Sequence, residues 1–130
     1  MYLNMNKIDR LKIANKFIKI ISKYGQRFFY NNKTKQTAYL KIKKNCVYYV
    51  SEYSGKEIYL HYRYWKFHHG GTLRYFIEEL KEYIMGKCNY ILIMSALKPF
   101  RKEICNDNLW KDIVKIWKKY EKNVKNYCKE

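Results

Sequence analysis

The run Tyr64-Trp65-Lys66-Phe67-His68-His69-Gly70-Gly71-Thr72-Leu73-Arg74 gathers more residues able to do chemistry than any other stretch of this chain. Two glycines ahead of a helix can turn backbone N–H groups outward. The positive end of the helix dipole adds to them, and together they suit a phosphate or carboxylate. His69, Gly70, Gly71, Thr72 and Arg74 are the anion-binding residues this predicts, supplemented by Lys66 and His68. The same residues also fit a plain tight turn in which Thr72 caps the helix, and the Gly-x-x-x-x-Gly-Lys-Ser/Thr spacing of a P-loop is missing.

Other reactive groups are poorly arranged for catalysis. His61, His68, His69 and Cys88 lack the paired spacing of a zinc set, and the histidines fall on a strand and a loop. A Cys-His nucleophile pair has no positional support, and Glu78, Glu79 and Glu82 read as the solvated face of a helix rather than an acid/base pair. The expectation is a protein that is not an enzyme and takes no metal and no cofactor. An enzyme acting on a phosphorylated small molecule at Gly70-Gly71-Thr72 is the third reading.

Lysine is the other chemically expressive residue. Lys12, Lys16, Lys19 and Lys23 recur at helical spacing, as do Lys111, Lys115, Lys118, Lys119, Lys122 and Lys125. Between them lies a candidate strand surface with Tyr39, Tyr49, Tyr59, His61 and Arg63. Lysines can neutralise phosphates while aromatic rings stack on unpaired bases. The predicted nucleic-acid contacts are therefore Lys12, Lys16, Lys19, Lys115, Lys118 and Lys122, with Tyr59, His61 and Arg63. Solvated helix faces beside cross-strand aromatic pairs would produce the same pattern, and no RNP signature, KH-type Gly-x-x-Gly loop or helix-turn-helix pair is present.

The elements that must position these residues follow from periodicity. Ile8, Leu11, Ala14, Phe17, Ile18, Ile21 and Tyr24 form one stripe of a helix ending at Gly25. The period then falls to two, predicting strands over 27–30, 37–42, 46–50 and 57–62 in an antiparallel meander, with turns at Asn31-Asn32-Lys33, Lys43-Lys44-Asn45 and Tyr53-Ser54-Gly55-Lys56. Thr72 opens a second helix whose stripe is Leu73, Phe76, Ile77, Leu80, Tyr83 and Ile84, up to Gly86. Residues 90–97 are apolar but too few to classify, and Pro99 interrupts them. Asn106-Asp107-Asn108 offers caps for a third helix with Leu109, Trp110, Ile113, Val114, Trp117, Tyr120 and Val124 inward. The predicted fold class is α+β: an antiparallel sheet of about four strands packed against three helices, in one domain over residues 1–130.

Composition bounds the partners. The 130 residues carry 28 Lys and Arg against 11 Asp and Glu, a net charge of +17, and 15 Tyr among a large aromatic content. A composition rich in Lys, Asn, Ile and Tyr suggests an AT-rich genome, but that bias enriches Glu as well and does not account for the excess of positive charge. Nucleic acid, an anionic membrane or an acidic protein would each answer it. No apolar run is long enough to span a bilayer and the first residues lack the order of a signal peptide, so a soluble, cytoplasmic protein is expected, with no membrane partner. Cys46, Cys88, Cys105 and Cys128 are widely separated, which predicts free thiols.

Tyr59, Trp65, Phe67, His69-Gly70-Gly71-Thr72-Leu73-Arg74, Leu80, Tyr83-Ile84 and Gly86 together resemble a pattern in small, uncharacterised proteins encoded by bacteriophages, with Asn108-Leu109-Trp110 as a second echo. The lysine-rich third helix departs from that pattern. The resemblance implies a phage accessory protein that interferes with host defence or nucleic-acid metabolism in the host cytoplasm, and it implies no catalytic activity. The leading expectation is a small basic accessory protein that binds nucleic acid or a nucleoprotein complex. Its rival is a protein-directed inhibitor in which the charge captures an acidic surface of a host enzyme and exposed tyrosines act as anchors.

Overall fold

In the computed structural model, residues 5–25, 28–60, 71–88 and 90–120 are described. The fold is α+β, and its elements follow the periodicities of the sequence with two departures. Helix α1 (Lys7–Gly25) buries Ile13, Ala14, Phe17, Ile18, Ile20 and Ile21, whereas Ile8, expected on the same stripe, is 52% exposed. Ile8 sits in the first turn and about 180° around the helix from Phe17, the middle of the buried arc, so it clears the packing partners.

The first departure concerns the sheet. The expected four-stranded meander is two small antiparallel sheets, one of β1 (Tyr30–Asn31) and β2 (Gln36–Thr37), the other of β3 (Tyr39–Lys43), β4 (Cys46–Val50) and β5 (Glu57–Tyr59). The strand expected over 37–42 changes partner at Ala38: Thr37 pairs with Tyr30 and Tyr39 with Val50. Phe29, fully buried, adopts a left-handed backbone with φ 61°, and its carbonyl accepts the Ala38 N–H at 2.8 Å. That bond continues the first ladder by one pair, so the change of partner falls between Ala38 and Tyr39. In the β3–β4 hairpin Lys44 and Asn45 both have positive φ, 52° and 64°, as a two-residue turn between right-twisted strands demands. The outer edge of β3 is covered by α1: Asn15 Nδ2 donates to the Leu40 carbonyl at 2.9 Å, and the Leu40 N–H donates to Asn15 Oδ1 at 2.7 Å. One side chain thus satisfies an edge backbone that would otherwise invite another strand.

Helix α2 (Gly71–Ile84) ends in a Schellman motif. Gly86 has φ 79°, its N–H donates to the Tyr83 carbonyl, and the Lys87 N–H donates to the Glu82 carbonyl. Because the helix begins at Gly71, Thr72 lies inside the first turn rather than at the cap. The second departure is that residues 90–105 are helical: α3 (Tyr90–Ala96), a 3-10 turn carrying Pro99, and α4 (Arg101–Cys105). Pro99 is tolerated because it stands at the start of that turn, where its missing N–H costs no bond.

Helix α5 (Asn108–Tyr120) is capped by Asp107, whose side chain accepts the Leu109 N–H at 2.9 Å. Its buried residues Trp110, Ile113 and Trp117 meet α1 and α2 in an aromatic cluster. Phe17 lies 6.2 Å from Trp110 and 5.9 Å from Trp117, and the two tryptophan rings are 6.0 Å apart and nearly perpendicular. Trp117 Nε1–H donates to the Tyr83 hydroxyl at 2.7 Å, satisfying both buried polar groups. One continuous core joins α1, the β3–β5 sheet and α2 to α5, with Phe29 and Ala38 entering it beside the first hairpin.

Cysteine behaves differently from expectation: Cys46 and Cys88 are free, but Cys105 is disulfide-bonded, with its partner outside the described residues. Wide separation along the chain, which suggested reduced thiols, places no limit on separation in space. Among the described residues no helix is long and apolar enough to cross a membrane.

Candidate nucleic-acid interface

The lysine rows of α1 and α5 come from opposite ends of the sequence, and the fold sets them side by side. Three contacts fix the pairing. Lys23 Nζ is 3.2 Å from Asp107, Lys16 Nζ is 3.6 Å from Asp112, and the Tyr120 hydroxyl donates to Asp9 Oδ2 at 3.2 Å. As the α1 number falls the α5 number rises, so the helices are antiparallel and in contact along their length.

Helix geometry then says which lysines share a face. At about 100° per residue, Lys12, Lys19 and Lys23 all lie within about 60° of Lys16 on α1. On α5, Lys119 is about 20° and Lys115 about 60° from Asp112, the residue that Lys16 touches, while Lys118 and Lys111 are about 100–120° away on the far flank. The ridge is thus Lys12, Lys16, Lys19 and Lys23 beside Lys115 and Lys119, and Lys118 belongs to its outer shoulder. Lys12, Lys19, Lys115, Lys118 and Lys119 are exposed and Lys16 is half-buried. Lys122 lies outside the described residues. Among the described residues, Lys12, Lys19, Lys115 and Lys118 have no carboxylate partner. Between Lys12 and Lys23 the α1 row runs about 16 Å, close to five base-pair steps of a duplex.

The sheet contributes a second surface. The register places Tyr39, Lys41, Lys43, Cys46, Tyr48, Glu57 and Tyr59 on its outer face. Tyr59 is 44% exposed and stacks on Tyr48, 5.2 Å between ring centres. Tyr49, expected on this face, is instead fully buried: it pairs with Leu40 and Ile58 toward the core, and its hydroxyl donates to buried Glu52 at 2.8 Å. Burial, and then the Glu52 charge, push its ionisation far upward. Tyr48 takes the place expected for Tyr49. Lys41 and Lys43 both bind Glu57, and these two bonds hold its carboxyl below the usual range while Glu57 raises Lys41. His61 and Arg63 lie outside the described residues.

Of the expected anion site, His69 and Gly70 lie outside the described residues, Gly71 is the exposed first residue of α2, and Thr72 follows it. Arg74 is engaged by Glu78 one turn on, at 3.8 Å. The candidate zinc and nucleophile residues His61, His68 and His69 are likewise outside the described residues. Cys88 is half-buried near the end of α2, and burial followed by Glu79 and Glu82 pushes its thiol up to about 11, which keeps it protonated at neutral pH. Among the described residues there is no cluster of three or more His, Cys, Asp or Glu able to hold a metal ion.

The sequence matches the YoqU family over residues 4–121. The chain belongs to that family. The match takes in both lysine helices, including α5, which the phage-protein pattern around His69–Arg74 had left unaligned. No curated protein and no solved structure matches the chain.

Proposed function

We propose that this YoqU-family chain is a small phage-type accessory protein that binds nucleic acid, alone or within a nucleoprotein complex, through the α1–α5 ridge. The observation that carries the reading is the antiparallel pairing of α1 with α5, which turns two separate lysine rows into one surface. Dispersed lysines give weak attraction. A row facing one way can displace several counterions from one phosphate backbone at once, which is the main source of sequence-independent affinity. The outer face of β3–β5, with Tyr59 against Tyr48, offers stacking for unpaired bases. Action in the host cytoplasm and against host defence follows the resemblance around His69–Arg74.

The test is binding of purified, nucleic-acid-free protein to labelled single- and double-stranded DNA and RNA over a salt series. Submicromolar binding is expected, with log affinity falling against log salt at a slope of about −4 to −5, as neutralising about five phosphates requires. Binding no tighter than that of a scrambled polylysine of equal charge would sink the proposal.

The second reading, a protein-directed inhibitor of a host defence enzyme, is favoured by Tyr39, Tyr53, Tyr59 and Tyr75, each 44% exposed or more. Such a complex would have an aromatic centre and survive moderate salt, where binding to a polyanion would not.

A further inference from the structure

The C-terminal half of α1, the β1–β2 hairpin and the first turn of α5 enclose a cleft of about 490 Å3. Among the described residues, Lys19, Lys23 and Lys35 line it, together with the hydroxyl-bearing Tyr30 and Thr37, and no carboxylate does. Lys19 and Lys23 belong to the ridge as well, so the cleft opens at one end of the proposed nucleic-acid track. We propose that it binds the phosphate monoester of a nucleotide, either free or at the end of a strand; the strand-end form rests on the ridge reading above.

Charge points to a monoester. The Lys23 ammonium is tethered by Asp107, whose side chain is 3% exposed and whose other oxygen accepts the Leu109 N–H. Asp107 therefore offsets Lys23, and Lys19 and Lys35, which have no carboxylate partner among the described residues, supply the uncompensated charge. A backbone phosphodiester carries one negative charge, whereas a monoester carries about −1.5 to −2 near neutral pH and three acceptor oxygens. Size points to a nucleotide rather than a bare ion, since the volume falls within the roughly 300–1,000 Å3 typical of small-molecule sites. Leu109 and the Tyr30 ring give the otherwise polar wall an apolar part against which a base can lie.

The hairpin is held in advance. Lys35 is the last of the four loop residues between β1 and β2, and its φ of 59° is a left-handed conformation that favours Gly or Asn. Its N–H donates to the Asn31 carbonyl at 2.8 Å. The Asn31 side chain, buried, accepts from the Lys33 N–H at 3.0 Å and donates to the Glu52 carbonyl at 3.3 Å. The loop is thus anchored from beneath while it presents an amine at a position where backbone conformation favours a different residue.

That conflict supplies the test. Lys35→Gly removes the amine and relieves the backbone, and Lys35→Asn does the same while keeping a side chain. Affinity for a short oligonucleotide bearing a terminal phosphate, at either end, is compared with that for the same strand ending in hydroxyls, by fluorescence anisotropy. Adenosine monophosphate, adenosine and inorganic phosphate are titrated separately by calorimetry. A terminal phosphate is expected to tighten binding about tenfold. Both variants should lose that increment while melting no lower than the parent. Binding of the monophosphate alone identifies a free nucleotide as sufficient; an increment seen only with oligonucleotides identifies the strand end. Equal affinity for phosphorylated and unphosphorylated strands, with no binding of the monophosphate, would overturn the cleft proposal while salt-dependent strand binding kept the ridge. Monophosphate binding no tighter than inorganic phosphate, with no increment from a terminal phosphate on the strand, would overturn it too. Loss of strand binding in Lys115→Glu/Lys119→Glu with monophosphate binding intact would separate the two sites in the other direction.

Discussion

On the outer face of β3–β5, Lys41 and Lys43 close on the same carboxylate, Glu57; on the α1–α5 ridge, Lys12, Lys19 and Lys115 face solvent with no carboxylate partner among the described residues. The two surfaces are both lysine-rich and differ in how much of that charge is available. A paired lysine must give up its carboxylate before it can take a phosphate, and exposed ion pairs of this kind contribute little stability of their own. The sheet face is therefore an aromatic surface with an internally balanced rim, and the ridge is an electrostatic one.

The largest effect should come from reversing the ridge. Lys12→Glu/Lys19→Glu/Lys115→Glu is expected to lower nucleic-acid affinity about 1,000-fold near 0.1 M salt, because each change both removes a phosphate contact and adds a repulsion. Lys41→Glu/Lys43→Glu should cost far less. Equal losses by anisotropy would erase the distinction between the surfaces. Next, Tyr59→Ala should weaken single-strand binding about tenfold and leave duplex binding unchanged, as loss of one stacking platform predicts. Smaller still, Asp112→Asn releases Lys16 and should raise affinity severalfold, with a salt slope steeper by about one.

The smallest effect sharpens the sheet side through pH. Lys41 and Lys43 hold the Glu57 carboxyl below its ordinary value, so at a given mildly acidic pH the folded protein keeps this group charged more than the unfolded chain does. The stability so gained is complete above the ordinary carboxylate range and is lost as pH falls through the lowered value. The difference in urea midpoint between the parent and Glu57→Gln should therefore shrink from about pH 6 to about pH 3. A constant difference would mean that the lysines do not hold the carboxylate.

How far these surfaces could be read beforehand depended on whether local or distant contacts decide them. The bounds of β4 and the course of α1 and α2 are set by short-range periodicity, and so is the left-handed turn at Lys44-Asn45. Tyr48 and Tyr49 are adjacent and identical, and composition alone cannot say which faces in; the alternation with buried Val47 on the same strand, and the pairing of Tyr49 with Leu40 and Ile58 across the ladders, decide it. The division of the sheet after Ala38 depends on adjacent residues meeting different partners, Phe29 for Ala38 and Val50 for Tyr39, and no local pattern encodes it. The lysine rows were legible as helical spacing. Their union into one ridge was not, since it depends on Asp9, Lys16 and Lys23 meeting residues about a hundred positions away. The place of Lys35 is illegible for the same reason: the cleft's other walls, at Lys19, Lys23 and Leu109, are distant from it in the sequence.

The packing of Trp110 and Trp117 behind the ridge has a practical side. Both indoles are at most 5% exposed and lie on the inner side of the helix whose outer side carries Lys115 and Lys119. In a Trp65→Phe background their emission is a dye-free gauge of the core: a blue-shifted spectrum certifies that α5 is still seated, and a red shift reports that it has come away. A charge-reversal variant that stops binding while its spectrum stays blue has lost its ligand contacts, and one that shifts red has lost its fold.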